Sequence, residues 1–171
     1  MKEDIRWRDN LEAAKQESKE KGRLLLMFFH HPDCGGCKKT ISETLIDSKV
    51  QKLMEIEFIP LRYMVTENDE LAKRYKIEWT PAFIVADNNG EELERWVGFL
   101  PPEDFIAQLE LSEGLADFHA EKYSEADRCF EKVINEHQKA EVTPEAYYYL
   151  GVSRYKESGD ASYLQKTWER S

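Results

Sequence analysis

The chain has only three cysteines among its 171 residues, and it has no apolar run near the ~18 residues that a membrane-spanning helix requires. The first scarcity excludes a disulfide framework, and the second excludes a membrane helix. The amino-terminal residues include no apolar stretch of secretory type, which predicts a cytoplasmic location; the alternative is export through a signal peptide that has been removed. Lysine and arginine do not cluster, and the net charge is −10. A nucleic acid or an anionic membrane is therefore not expected as a partner.

Hydrophobic residues make up 41% of the chain, which is enough for a packed core. The continuous apolar run Leu24–Phe29 has the length of a strand buried on both faces. Further strands are predicted over 57–63, 82–86 and 92–97, and the last two pair as a hairpin. Helices are predicted between them, over 10–21, after Cys37 to 45, 47–54 and 70–75, with a last one from Pro101. This alternation predicts an α/β fold with a mixed central sheet covered by helices.

After residue 111 the strand signals stop and only helical patterns follow. They predict helices over 114–121, 124–136, 144–157 and 161–170, with Ser124 and Thr143 as N-caps and Gly159 at a helix end. We therefore expect two domains, 1–111 and 112–171. No Gly/Ser linker separates them, so the helical unit is expected to pack on the first domain.

The most informative motif is Cys34-Gly35-Gly36-Cys37, placed where a buried strand passes into a helix. Unpaired N–H groups and the positive end of the helix dipole stabilise a thiolate at a helix start. Cys34 is therefore the expected nucleophile, and Cys37, about one turn later, is placed to resolve a mixed disulfide.

Two other interpretations of the motif stay open. It could be a chance pair, or it could be part of a metal site together with His31. No second cysteine pair follows, and Cys129 lies far along the chain, where it is expected to pack as a small hydrophobic residue. We expect a redox dithiol with neither a metal nor a cofactor.

The motif and its surroundings resemble the thioredoxin-like superfamily. The matching features are the apolar strand, Cys34–Lys38, Thr80-Pro81 about 45 residues later, the strand 82–86, and Trp96–Phe99 before a helix. The segment Cys37–Asp47 and the helical lead-in with Trp7 look most like the branch that includes the C-terminal domain of DsbD. The resemblance covers about residues 5–110 and implies a thioredoxin-like fold.

The resemblance also implies roles for individual residues. Cys34 would be the nucleophile, Cys37 the resolving cysteine, and Pro81 a cis-proline preceded by a substrate-binding backbone at Thr80. The substrate-contacting set would comprise Asp33, Gly35, Gly36, Trp79, Thr80 and Pro81. The chain departs from thioredoxin itself at Phe28, where thioredoxin has a buried aspartate, and at Asp33, Gly35-Gly36 and Trp79. These departures leave the reduction potential and the substrate class open.

His30, His31 and Lys38 are candidate modulators of the Cys34 pKa. An imidazolium or ammonium beside Cys34 would lower that pKa, whereas the carboxylate of Asp33 would oppose the thiolate. The alternative is that the histidines simply end the strand at a solvated edge.

The helical tail resembles parts of tetratricopeptide repeats. Lys122–Ala126 with Phe130 and Val133 resembles the second half of one repeat, and Ala146–Tyr155 resembles the first half of the next. The alternative is that the aromatic residues only form a core.

Together these features predict a thiol–disulfide oxidoreductase that reduces protein disulfides and exchanges electrons with a thiol donor or acceptor. The tail would help select partners by binding a peptide or protein. The alternative is a tetratricopeptide-type adaptor whose cysteine pair is vestigial or only senses redox state.

Overall fold

The computed structural model describes residues 5–165. Its contacts divide the chain into two compact units, Met1–Pro102 and Glu103–Ser171. No helix within 5–165 is both long enough and apolar enough to cross a membrane. The boundary expected at residue 111 and the packing of the two domains stay predictions.

The first unit contains a four-stranded mixed sheet with the order β2-β1-β3-β4. The strands are β1 (Leu24–His30), β2 (Phe58–Met64), β3 (Ala82–Ala86) and β4 (Glu92–Val97). Strand β1 runs parallel to β2 and antiparallel to β3, and β3 runs antiparallel to β4. The mixed sheet predicted from the sequence is thus confirmed, with its strands within a residue of the expected bounds.

Helices α1 (Leu11–Lys21), α2 (Gly35–Lys39), α3 (Ser48–Glu57) and α4 (Asp69–Arg74) belong to the same unit, and α2 continues through a π-type turn at Thr40–Thr44. Local capping explains where two of them begin. The Asn10 side chain accepts the N–H of Ala13, and the Asp47 carboxylate accepts those of Lys49 and Val50. These contacts satisfy donors that a helix start otherwise leaves unpaired.

Strand β1 is buried on both faces, as its apolar run predicted. On one face the Phe28 ring stacks on Phe83, with the ring centroids 4.7 Å apart, and Phe83 stacks on Trp96. On the other face Leu25, Met27 and Phe29 join a separate apolar cluster. Because successive strand residues point to opposite faces, one run of six apolar residues supplies both layers.

The second unit contains α5 (Pro102–His119), α6 (Tyr123–Glu136) and α7 (Thr143–Ser158). The separate helix predicted over 114–121 is wrong, because α5 runs unbroken through Gly114. A Cβ at Gly114 would lie 2.6 Å from Cε1 of Phe130. Gly114 therefore permits a close approach of α5 and α6 and does not end a helix. The core between these helices comprises Ala107, Leu111, Leu115, Ala126, Phe130, Val133, Ala146 and Leu150.

Both N-caps expected in this unit are also wrong. Helix α6 begins one residue earlier, and the Ser124 hydroxyl donates to the Glu157 carboxylate at 2.6 Å. Thr143 is already inside α7, and its hydroxyl donates to the carbonyl of His137. Tertiary partners compete successfully with local capping here.

Gly159, with φ of 77°, does end α7. Of the helix predicted over 161–170, residue 161 is in a turn, residues 162–165 are helical, and 166–170 lie outside the described residues.

We predict that Gly114→Ala destabilises the protein by about 1–2 kcal/mol, because the added methyl group overlaps the fully buried Phe130 ring. Urea denaturation gives the free energy of unfolding. Gly35→Ala is the matched control, since a Cβ there has no atom within 4 Å, and it should leave stability nearly unchanged. Equal stability of the two variants would contradict the close approach.

Candidate active site

Cys34 occupies the position immediately before α2, where it acts as the N-cap. Its backbone is extended, with φ of −97° and ψ of 114°, and its Sγ accepts the N–H of Cys37 at 3.1 Å. The sulfur takes the place that a serine or aspartate oxygen has in an ordinary cap. The end of β1 and the start of α2 thus hold the sulfur against unpaired helix N–H groups.

A second segment, 46 residues further along, completes the site. The Cys34 thiol donates to the carbonyl oxygen of Thr80 at 3.2 Å, and the Thr80–Pro81 bond is cis. The Pro81 ring lies against Gly36, since a Cβ at Gly36 would be 3.1 Å from Cδ of Pro81. The structure therefore brings the cysteine motif and the Thr-Pro pair together.

The two cysteines differ in their protonation. Burial raises the pKa of Cys34, but hydrogen bonds from the Cys37 and Thr80 side chains and from the N–H groups of Cys37 and Gly36 outweigh it, so the pKa is lowered. Cys37 is buried, and this burial, with the hydrogen bond to Cys34, raises its pKa to about 11. Cys34 is therefore the thiol that ionises first.

The rim of the site is open. Trp79 has 72% of its surface exposed, and Asp33 and Gly35 are exposed as well. An exposed indole one residue before Thr80, whose carbonyl contacts the Cys34 sulfur, offers a large apolar surface.

His30 fits neither interpretation made from the sequence. It is buried, so it does not end the strand at a solvated edge, and its Nε2 accepts a hydrogen bond from Nε of Arg62 at 3.0 Å. Burial, with a further contribution from the Arg62 charge, lowers its pKa to about 4. His30 is therefore neutral at pH 7 and does not supply an imidazolium to Cys34.

His31 and Lys38 contact the motif through their backbones. The His31 carbonyl accepts the N–H of Cys34 at 3.2 Å, and the N–H of Lys38 donates to the Cys34 carbonyl at 3.1 Å. The His31 ring uses Nδ1 to accept the N–H of Asp33, and the Lys38 side chain is exposed. An electrostatic role for either side chain stays a prediction.

Arg62 is a site residue that the sequence interpretation missed. Burial lowers the pKa of this half-buried guanidinium, and the charge of the Cys37 sulfur offsets only part of that decrease. The guanidinium also lies over the rings of Trp7 and Phe28, at 5.9 and 5.7 Å. The sequence feature that could have identified Arg62 is its place in an otherwise apolar strand, because a charge that is buried there requires a nearby partner.

The possible metal site at the cysteines finds no support in the geometry. Within residues 5–165, three potential ligand atoms approach within 4.8 Å of one another only at Glu110, Glu136 and His137. Cys129 lies near the contact of α5 and α6, as expected, but it is only partly buried.

The sequence profile of a thioredoxin-like domain family matches residues 11–113, more than half of the chain. The chain belongs to this family. The thioredoxin-like superfamily inferred from the motifs is thus confirmed, while the tetratricopeptide likeness of the tail stays a prediction.

Individual proteins similar to this thioredoxin-like chain include thiol:disulfide interchange proteins and a thioredoxin. A thiol:disulfide interchange protein DsbD from Colwellia psychrerythraea is 26% identical over 105 residues, 58% of this chain but only 17% of that protein. A solution structure of a thioredoxin from Thermus thermophilus has a TM-score of 0.55 and 29% identity, and the match covers 61% of this chain and 84% of that one. The oxidised DsbD C-terminal domain of Neisseria meningitidis has a TM-score of 0.51 and 26% identity. That match covers 58% of this chain and 90% of the other.

We predict that iodoacetamide labels Cys34 first in the reduced thioredoxin-like protein at pH 7, because the thiolate is the reactive form. Cys37, with its pKa of about 11, and Cys129, whose burial raises its pKa to about 12, should react far more slowly. Peptide mass spectrometry after brief labelling across pH 5–9 measures all three rates. Faster labelling of Cys37 than of Cys34 would reverse the assigned roles.

Proposed function

We propose that the protein is a thiol–disulfide oxidoreductase that reduces disulfides in other proteins. The observation that carries this proposal is the asymmetry of the cysteine pair. Cys34 is partly exposed and its pKa is lowered, whereas Cys37, one helical turn away, is buried and its pKa is raised to about 11. Family membership supports the same chemistry, and the DsbD and thioredoxin relatives suggest protein disulfides as the substrate class.

The reaction follows from this asymmetry. The Cys34 thiolate attacks one sulfur of a substrate disulfide, so that a mixed disulfide forms and the other substrate sulfur leaves as a thiolate that takes up a proton. Cys34 then no longer carries the charge that raises the pKa of Cys37. Cys37 loses its proton more easily, with the Arg62 guanidinium nearby, and attacks Sγ of Cys34.

This second step releases the reduced substrate and leaves a Cys34–Cys37 disulfide. The two electrons that the substrate gained come from the two cysteine thiols, so a thiol donor must reduce the pair again before the next cycle. We propose such a donor as the second partner and a cytoplasmic setting for the cycle.

We propose that an extended segment of the substrate lies along Thr80 and Pro81, beside the motif. The backbone at Thr80 is next to the Cys34 sulfur, and backbone pairing with an extended peptide is a common recognition mode. Trp79 would cover the substrate on one side, and Asp33, Gly35 and Gly36 would border it on the other.

For the activity itself, we predict that wild type accelerates insulin reduction by dithiothreitol and that Cys34→Ser lowers the rate to that of dithiothreitol alone. Cys37→Ala should accumulate a mixed disulfide, because the resolving thiol is missing. Cys129→Ser is the matched control and should retain full turnover. If wild type is no faster than dithiothreitol alone, the adaptor interpretation replaces the enzymatic one.

We predict that Trp79→Ala slows insulin reduction several-fold through a higher KM, while leaving the reaction of Cys34 with a small aromatic disulfide unchanged. The reason is that the indole contacts a polypeptide but not the reacting sulfurs. Ile56→Ala, another exposed apolar residue at 49%, is the control. An equal loss with both disulfides would place Trp79 in the chemistry and not in substrate binding.

We propose that the helical tail assists in choosing partners. Two aromatic side chains of α7, Tyr148 and Tyr155, are 48% and 38% exposed, and tyrosine is enriched at protein interfaces. This observation also supports the tetratricopeptide-type adaptor as the second candidate.

For the tail, we predict that Tyr148→Ser in the Cys37→Ala background changes which proteins are trapped as mixed disulfides, while insulin is trapped as before. Loss of an exposed aromatic contact weakens partner binding without altering Cys34. Non-reducing gels with mass spectrometry compare the trapped sets, and Ile56→Ala in the same background is the control. Identical sets in all three proteins would assign Tyr148 no part in selection.

A further inference from the structure

The second unit contains a buried carboxylate that the proposed redox reaction does not use. Glu110 lies on α5 with 7% of its side chain exposed, and its Oε1 is 2.9 Å from Nε2 of His137. Its other oxygen is 3.3 Å from Nζ of Lys132. Because burial of a carboxylate is costly without compensating charge, this cluster of polar groups calls for an explanation.

A third side chain gives the cluster the composition of a metal site. Glu136, the last residue of α6, places a carboxylate oxygen so that it, Glu110 and His137 each offer one atom within 4.8 Å of the other two. Zinc binds imidazole nitrogen and carboxylate oxygen at about 2.0–2.2 Å, so two ligands of one ion lie at most about 4.4 Å apart. The three atoms therefore need only a small adjustment to share an ion.

The histidine ring supplies an independent observation. Among residues 5–165, no group forms a hydrogen bond with the buried Nδ1 of His137, and the side chain is only 6% exposed. The nearest carboxylate oxygen, Oε2 of Glu103, lies 3.5 Å away. If a metal ion binds Nε2, the remaining ring proton must be on Nδ1. That proton then faces the Glu103 carboxylate. A metal-bound histidine commonly donates its other N–H to a carboxylate in this way.

The cluster also has access to solvent and a suitable charge. Glu103, Glu136 and His137 line the same cavity, and Glu136 is exposed, so an ion can reach the ligands directly. Four carboxylates, those of Glu103, Asp104, Glu110 and Glu136, belong to the cavity and the cluster, against two ammonium groups, those of Lys132 and Lys139. This excess of negative charge favours a divalent cation.

We propose that Glu110, Glu136 and His137 bind a divalent transition-metal ion, with zinc as the first candidate, and that Glu103 orients the histidine ring. The imidazole ligand favours zinc and related metals over magnesium and calcium, which prefer oxygen ligands. The ion would join α5 to the end of α6. Glu110 and His137 are 27 residues apart and form no local sequence motif.

The test uses the full-length protein, stripped with EDTA and with Cys34 and Cys37 oxidised to a disulfide so that they do not bind zinc. Isothermal titration calorimetry with zinc chloride should show one saturable site, and zinc should raise the unfolding temperature by several degrees. Magnesium chloride should do neither. Absence of a one-to-one zinc site in the wild-type protein would overturn the proposal.

Variants locate the ion. Glu136→Gln alters an exposed side chain, so it should fold normally and lose saturable binding, as should His137→Gln. Glu103→Gln should weaken binding by about 10–100-fold, as expected for a residue that orients a ligand. His119→Gln and Glu125→Gln, both exposed in the same unit, are controls and should bind as wild type does. Undiminished binding in Glu136→Gln would also overturn the proposal.

Discussion

The hydrogen bond from the Cys37 N–H to Sγ of Cys34 is the interaction on which the proposed chemistry depends. It lets a cysteine begin a helix, a position that usually has an oxygen acceptor. It also favours the thiolate, because an N–H donor binds an anionic sulfur more strongly than a neutral one. Helix geometry and cysteine reactivity are therefore aspects of one local arrangement.

The buried sheet holds that arrangement in place. Strand β1 lies between β2 and β3 and is covered on both faces, so the turn that follows it has a fixed starting point. Strand β3 begins directly after Pro81 and holds Thr80 and Pro81 beside the motif. The stacked rings of Phe28, Phe83 and Trp96 pack across three strands of this sheet. The Arg62 guanidinium lies over the Phe28 ring and donates a hydrogen bond to neutral His30.

The second unit is organised by a different constraint, which is close packing combined with buried polar groups. Gly114 allows α5 and α6 to approach until the Phe130 ring fills the space of a side chain. At another position along these helices, Glu110 and His137 meet in a buried pair. Because a buried carboxylate and imidazole restrict which charges can neighbour them, this pair constrains the packing of the unit.

The sequence by itself determined the features that depend on neighbouring residues. The apolar run of β1, the helix start at Asn10 and the helix end at Gly159 follow from local periodicity and backbone geometry. The cysteine motif at a helix start, and hence the predicted order of reactivity of Cys34 and Cys37, belongs to the same class. The Thr80-Pro81 part of the site came only from a resemblance, because nothing local relates it to the motif.

Only the tertiary structure decided the contacts between distant residues. The neutral state of His30 depends on burial and on Arg62, which comes from another strand. The continuity of α5 through Gly114 depends on Phe130, and the displaced caps at Ser124 and Thr143 depend on partners in other turns of the chain. Glu110 and His137 meet for the same reason. Burial and long-range pairing set these protonation states and contacts, and neither is encoded in the spacing of adjacent residues.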